Sequence, residues 1–132
     1  MIRELSIKTS SRVQFIDITR QVRDAVHEAG VEEGICVVFT PHTTAAITIN
    51  ENADPSVKSD INRKLMEVYP KSDGYDHAEG NSDSHIKSSL VGCSETVIIK
   101  DGRLLLGTWQ GIMLCEFDGS RSRKVFVKIM EG

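Results

Sequence analysis

Thr96-Val97-Ile98-Ile99-Lys100-Asp101-Gly102-Arg103-Leu104-Leu105-Leu106 is the stretch that decides how this chain is wound. Two apolar-rich runs, Thr96 to Lys100 and Arg103 to Leu106, flank Asp101-Gly102, the strongest short hairpin signal because both central positions tolerate positive φ. A hairpin joins antiparallel neighbours, whereas parallel strands need a long crossover between them. Downstream, Ile112 to Phe117 and Lys124 to Met130 read as two more strands joined through Asp118-Gly119-Ser120. Upstream, residues 83 to 91 predict a short helix with Ser82 or Asp83 as cap and Gly92 as stop.

The N-terminal half follows the same logic. Leu5 and Ile7 alternate with polar residues, as do Val13 and Phe15, so residues 3 to 9 and 12 to 18 predict a hairpin joined near Ser10-Ser11. Thr19 can cap a helix whose Val22, Ala25, Val26 and Ala29 form one apolar stripe before Gly30 stops it. Ile35 to Phe39, bounded by Gly34 and Pro41, predicts a strand buried on both faces, and Ala45 to Asn50 alternates as another strand. Asp54-Pro55 opens a second helix with Val57, Ile61 and Leu65 on one face, and Pro70 ends it. The order ββαββααββββ, with hairpins in place of βαβ crossovers, predicts an α+β fold: an antiparallel-rich β-sheet or sandwich with two main helices and one short one.

The chain has 132 residues, 39% of them hydrophobic, with no repeat and no linker, which fits one domain over residues 1–132. A net charge of -3 supplies no global field for nucleic acid. The longest unbroken apolar run, Ile35 to Phe39, is far short of the ~20 residues of a membrane helix, and the N-terminus lacks a signal peptide's apolar region. A cytoplasmic protein with neither nucleic acid nor membrane as partner is expected. Cys36, Cys93 and Cys115 are odd in number and widely spaced, so no disulfide framework or zinc knuckle is indicated, and Cys36 and Cys115 read as buried small apolar residues.

The polar stretch Lys71 to Asp83 is where function is expected. His42, His77 and His85 fall in loops or at a helix start, whereas His27 lies on an ordinary helix face. Imidazoles from separate loops suit a metal or a proton shuttle, although exposed loop histidines remain the bland alternative. Glu79 stands two residues after His77, while Glu51 and Asp60 flank the Asp54-Pro55 cap; such carboxylates could complete a metal shell or position water. Anion binding has two candidate sources, the helix start near Ser84 and the basic turn holding Arg121, Arg123 and Lys124, each balanced against a capped helix and a solvated turn. Trp109, the only tryptophan, sits in Gly107-Thr108-Trp109-Gln110-Gly111, where it could stack on a heteroaromatic ring or fill core or a subunit interface.

Taken together, Pro41-His42-Thr43-Thr44-Ala45, Asn50-Glu51-Asn52-Ala53-Asp54-Pro55, Tyr75-Asp76-His77-Ala78-Glu79-Gly80-Asn81, Ser84-His85-Ile86-Lys87-Ser88-Ser89 and the Trp109 motif closely resemble the YjbQ family, also called the secondary thiamine-phosphate synthase family. The likeness runs from about the first strand to Lys128, with the motifs in matching order. The resemblance implies a compact α+β homotrimer and a weak, secondary ability to join pyrimidine and thiazole precursors into thiamine phosphate. Its recurring histidines match His42, His77 and His85, its acids match Glu51, Asp60 and Glu79, and its late motif matches Thr108, Trp109 and Gln110. The roles expected from chemistry are a divalent metal (zinc, magnesium or manganese) on the three histidines, proton transfer or water orientation by Glu79, and phosphate binding by Arg121 or Arg123. Glu51, Asp60 and Gln110 join Glu79 as catalytic candidates, and Ser84, Lys87 and Trp109 join the arginines as candidates for binding a small phosphorylated or heterocyclic ligand. A metal-dependent hydrolase or phosphatase using the same residues, and a non-catalytic trimeric anion-binding protein, are the alternatives.

Overall fold

The Asp101-Gly102 turn forms as expected: φ is 52° at Asp101 and 74° at Gly102, and the strands on either side pair Ile99 with Leu104 and Lys100 with Arg103. In the computed structural model, which describes Met1–Gly132, these strands are β5 (Ser94–Lys100) and β6 (Arg103–Leu104). The second arm stops two residues early because Leu105 returns a single bond to Ile98 and the chain then turns away.

The remaining elements are β1 (Ile2–Lys8), β2 (Gln14–Asp17), α1 (Thr19–Ala29), β3 (Gly34–Phe39), β4 (Ala45–Glu51), α2 (Pro55–Val68), α3 (Ser82–Val91), β7 (Gln110–Glu116) and β8 (Ser122–Glu131). Their order is the expected one. A five-stranded sheet, β1-β8-β3-β5-β6, faces a three-stranded sheet, β2-β7-β4, and every pairing is antiparallel. The main core lies between the sheets and under α1, with Val22, Ala25 and Val26 of the helix meeting Cys36, Val38, Ile47, Leu114 and Val127 of the strands. No helix is long and apolar enough to cross a membrane.

Several local expectations are corrected. Residues 3 to 9 and 12 to 18 do not form a hairpin: β1 pairs with β8 and β2 pairs with β7, so the Thr9–Val13 link carries the chain from one sheet to the other. Alternation reports which face of a strand is buried but not which strand lies beside it. Thr19 is the first residue of α1 rather than its cap. The Asp17 carboxylate accepts from Thr19 N and Oγ1, and the Thr19 hydroxyl accepts from Ile112 N, so these side chains tie the helix to β7. The cap of α3 is Asn81 rather than Ser82 or Asp83, and Gly92 ends that helix with positive φ. β3 is buried on one face only, because Ile35, Val37 and Phe39 point to a side of the five-stranded sheet that no helix covers.

Two further details fix the frame. Asp54 caps α2 through Ser56 N, as its sequence predicts, yet no residue of α2 is fully buried, and Val57, Ile61 and Leu65 are only half-covered. At Gly34 a Cβ would lie 2.1 Å from the Met130 carbonyl oxygen, so the close approach of β3 to β8 requires glycine there.

Candidate functional site

The three-stranded sheet divides the candidate residues between its two ends. At one end Ala45 of β4 lies opposite Glu116 of β7; at the other Glu51 lies opposite Gln110. Six residue steps of extended chain place these ends about 20 Å apart. His42, Arg121 and Arg123 belong to the first end, where α3 also packs against β4 and Ser84 reaches the Phe117 carbonyl. Glu51, Trp109 and Gln110 belong to the other, and Asp60 is exposed on α2. A single chain therefore does not gather the twelve candidates into one cleft.

The first end is built on two internal ion networks. Glu116, fully buried, accepts from Thr9 Oγ1 at 2.8 Å, from Arg123 Nε at 2.8 Å and Nη2, and from Asp118 N at 3.1 Å. Arg123, 4% exposed, also donates to Thr44 Oγ1 at 2.8 Å. Burial pushes the Glu116 carboxyl up, but the hydrogen bonds from Arg123, Asp118 and Thr9 and the guanidinium charge together hold it below its ordinary value. In the second network Asp83 receives Arg12 at 3.0 and 3.3 Å and Lys87 at 2.9 Å. Burial again opposes and the paired cations prevail, so its carboxyl also sits below the ordinary range.

Three expected ligand-binding groups are turned inward by these networks. Lys87 is 1% exposed against Asp83, the Ser84 hydroxyl is buried on the Phe117 carbonyl at 2.5 Å, and the Arg123 fork is occupied by Glu116 and Thr44. At the helix start itself, Ser84 N and His85 N bond to the Asn81 carbonyl, and Asp83 places a negative charge in the first turn, opposing an anion there. Arg121 differs. It is exposed, with Nε on the Asp118 carbonyl at 2.8 Å and one Nη on the Asp118 carboxylate at 2.9 Å, and it keeps further donors free.

The histidines separate into a pair and a single residue. His77 and His85 stand with ring centroids 5.5 Å apart and planes nearly perpendicular, in a cleft of about 420 Å³ lined with Tyr75, Asp76, Ser82 and Ile86. Glu79 Oε2 is 3.8 Å from His77 Nε2. The Tyr75 hydroxyl donates to the Pro70 carbonyl at 2.7 Å and closes the loop leading into this cleft. His42 stands apart, with Nε2 accepting from Lys124 N at 2.9 Å. Burial and the nearby Arg123 and Arg121 lower its pKa against the opposing pull of Glu116. No three His, Cys, Asp or Glu side chains of one chain are grouped so as to hold a metal, so the expected convergence of His42, His77 and His85 is absent within the chain.

At the far end, Trp109 is 62% exposed and so does not fill the core. Its carbonyl accepts from Asn52 N, and Gln110 Oε1 accepts from Gly107 N at 2.8 Å, which folds the glycine motif back on itself. Arg12 and Thr9 were not among the candidates, although both anchor the networks. Their partners lie 71 and 107 residues away, and nothing local marks them. The Asp83–Lys87 pair carried a readable signal in its i,i+4 spacing.

Residues 3–132 match the family described as UPF0047 protein YjbQ-like. The chain is 58% identical to a UPF0047 protein of Methanocaldococcus jannaschii over 98% of this chain and 94% of that one. It is 53% identical to the UPF0047 protein YugU of Bacillus subtilis over 98% and 99% of the two chains. Among solved structures, a YjbQ/UPF0047 family protein of Clostridium acetobutylicum superposes with a TM-score of 0.96 at 61% identity, covering 97% of this chain and 99% of the other. A YbjQ-like protein of unknown function from Sulfolobus solfataricus reaches the same 0.96 at only 32% identity, over 100% and 97% of the chains.

Proposed function

The chain belongs to the UPF0047 (YjbQ-like) family, and from that premise we propose that it is a small-molecule enzyme whose chemistry is centred on the His77–His85 cleft, with a secondary thiamine-phosphate synthase activity. The observation that carries the reading is the juxtaposition of two imidazoles in a cleft of about 420 Å³, with the exposed Glu79 carboxylate 3.8 Å from His77. That donor set fits zinc or manganese more closely than magnesium, which prefers oxygen ligands. His77 and His85 would hold the ion, with Glu79 beside them. Because no third protein ligand is grouped with them in the chain, the remaining positions would be open to water or substrate oxygens. A divalent cation so held supplies charge stabilisation to a departing diphosphate.

In the proposed transfer the bond from the pyrimidine's methylene carbon to diphosphate breaks, the diphosphate leaves with the electron pair, and the thiazole nitrogen bonds to that carbon. The chain's own part is to orient the two substrates and to neutralise phosphate, for which Arg121 retains free donors. Glu79, 3.8 Å from His77, would orient water, and this supports hydrolysis of a phosphorylated substrate as the second reading.

A homotrimer forms the other part of the proposal. Ile35 pairs with Met130 on one side and Ile98 on the other, and Phe39 faces Phe126, all on the uncovered side of the five-stranded sheet. An apolar sheet face of this kind, together with the half-covered α2, is what a subunit contact would bury. Assembly also offers a way for Glu51, Trp109 and Gln110 to complete a cleft that they do not reach in their own chain.

Metal content per chain, measured by mass spectrometry on protein purified without chelator, tests the central claim. The expected result is stoichiometric metal in the parent and its loss in His77→Ala and in His85→Ala. Turnover of the pyrimidine diphosphate with thiazole phosphate, compared with hydrolysis of simple phosphate esters, separates the two reactions. Absence of metal after exposure to zinc, manganese and magnesium overturns the metal site, and ligand binding without turnover of either kind makes the protein a binding module. Light scattering of the purified protein tests the trimer.

A further inference from the structure

His42 leads elsewhere than the other two histidines. Its Nε2 accepts the Lys124 backbone N–H at 2.9 Å, so the lone pair on that nitrogen is engaged and a neutral ring carries its proton on Nδ1. Metal binding at Nδ1 would require the proton to move to Nε2, where it would oppose the amide hydrogen of Lys124. The backbone of β8 thus fixes the tautomer, and the Nδ1–H is a donor with no acceptor in the chain. The ring is half-buried in the loop between β3 and β4, and the buried Arg123–Glu116 pair and the exposed Arg121 are its charged neighbours. The arginines and burial together favour the uncharged ring.

We propose that His42 is a neutral hydrogen-bond donor, which binds a phosphoryl oxygen through Nδ1–H beside Arg121, and is not a metal ligand. The claim rests on the reading of the ligand as phosphorylated, but not on the metal at His77 and His85. A fixed neutral donor holds an oxyanion without itself exchanging a proton, and Arg121 supplies the charge that an imidazole in this state lacks.

The test is nitrogen-15 spectroscopy of the full-length protein labelled at its histidine rings, with His42 assigned by the signal that His42→Gln removes. Expected are a neutral Nδ1–H tautomer at neutral pH, no displacement of the His42 signals on adding zinc, and displacement of the His42 Nδ1–H signal on adding pyrophosphate. Glutamine can reproduce the Nε2 acceptor without the Nδ1 donor, whereas asparagine can reproduce the donor. Pyrophosphate should therefore bind His42→Gln about tenfold or more weakly and His42→Asn nearly as well as the parent. An Nε2–H tautomer, a zinc response of His42, or no response of its Nδ1–H to pyrophosphate would each overturn the proposal. None of these outcomes depends on whether turnover is found, so failure here is distinct from failure of the metal site.

Discussion

Replacing Glu116 by glutamine keeps the volume of the side chain and removes only its charge, which makes it the sharpest probe of how this end of the molecule is held. In the parent, Glu116 is 0% exposed and receives Thr9, Asp118 N and two nitrogens of Arg123, itself 4% exposed. The variant leaves the Arg123 guanidinium buried without a counter-charge and turns one acceptor oxygen into an NH2 group that faces donors. Breaking a buried pair in this way costs about 3–5 kcal/mol, which for a domain of this size lowers Tm by about 10–20 °C. The assay is urea unfolding and thermal melting at one fixed protein concentration, since any assembly would make Tm concentration-dependent. The double variant Glu116→Leu with Arg123→Met should recover most of the loss, because it removes both charges and keeps the volume. The sign with pH follows from the direction of the shift. The folded carboxyl sits below its ordinary value of 4.5, so its stabilisation is present above that pH and is lost as the pH falls through the lower folded value. Parent and variant should therefore converge in strong acid. A loss below about 1 kcal/mol in Glu116→Gln, the value of an exposed pair, would refute the reasoning.

Asp83→Asn should destabilise more than Lys87→Met, since the first leaves two cations, Arg12 and Lys87, without their carboxylate, whereas the second leaves Asp83 still paired with Arg12; urea midpoints at constant slope would show the ranking. Gly34→Ala should cost about 1–3 kcal/mol, because its Cβ would lie 2.1 Å from the Met130 carbonyl oxygen and β3 and β8 would have to move apart. Of the three thiols, only exposed Cys93 should react rapidly with an aromatic disulfide reagent at mildly alkaline pH. Burial pushes the Cys36 thiol up to about 11 and the Cys115 thiol up to about 12, and fast modification of all three in the native protein would contradict the packing.

The candidate site was legible in part. His77, Glu79 and His85 come together because a short loop and a helix start carry them, so closeness in sequence became closeness in space. His42 lies in a different loop, and its ring nitrogen is claimed by a backbone amide 82 residues further on, a partner that no residue type announces. Lys87 and Arg123 look like ligand-binding cations in sequence and prove to be buried counter-ions, because Asp83 and Glu116 are buried with them. Trp109 shows the reverse, a large aromatic residue that the fold leaves exposed.

The order of elements, the antiparallel character and the stop at Gly30 followed from the sequence alone, since alternation, helical stripes, turn residues and left-handed glycine are properties of a few adjacent residues. Strand partners did not follow. β1 joins β8 from the opposite end of the chain and β2 joins β7, because pairing is decided by which faces share a core, and that is a property of the whole assembly of strands. The same holds for charge: sequence shows which residues can ionise, and only the tertiary structure decides which of them are enclosed with a partner and which remain free to meet a ligand.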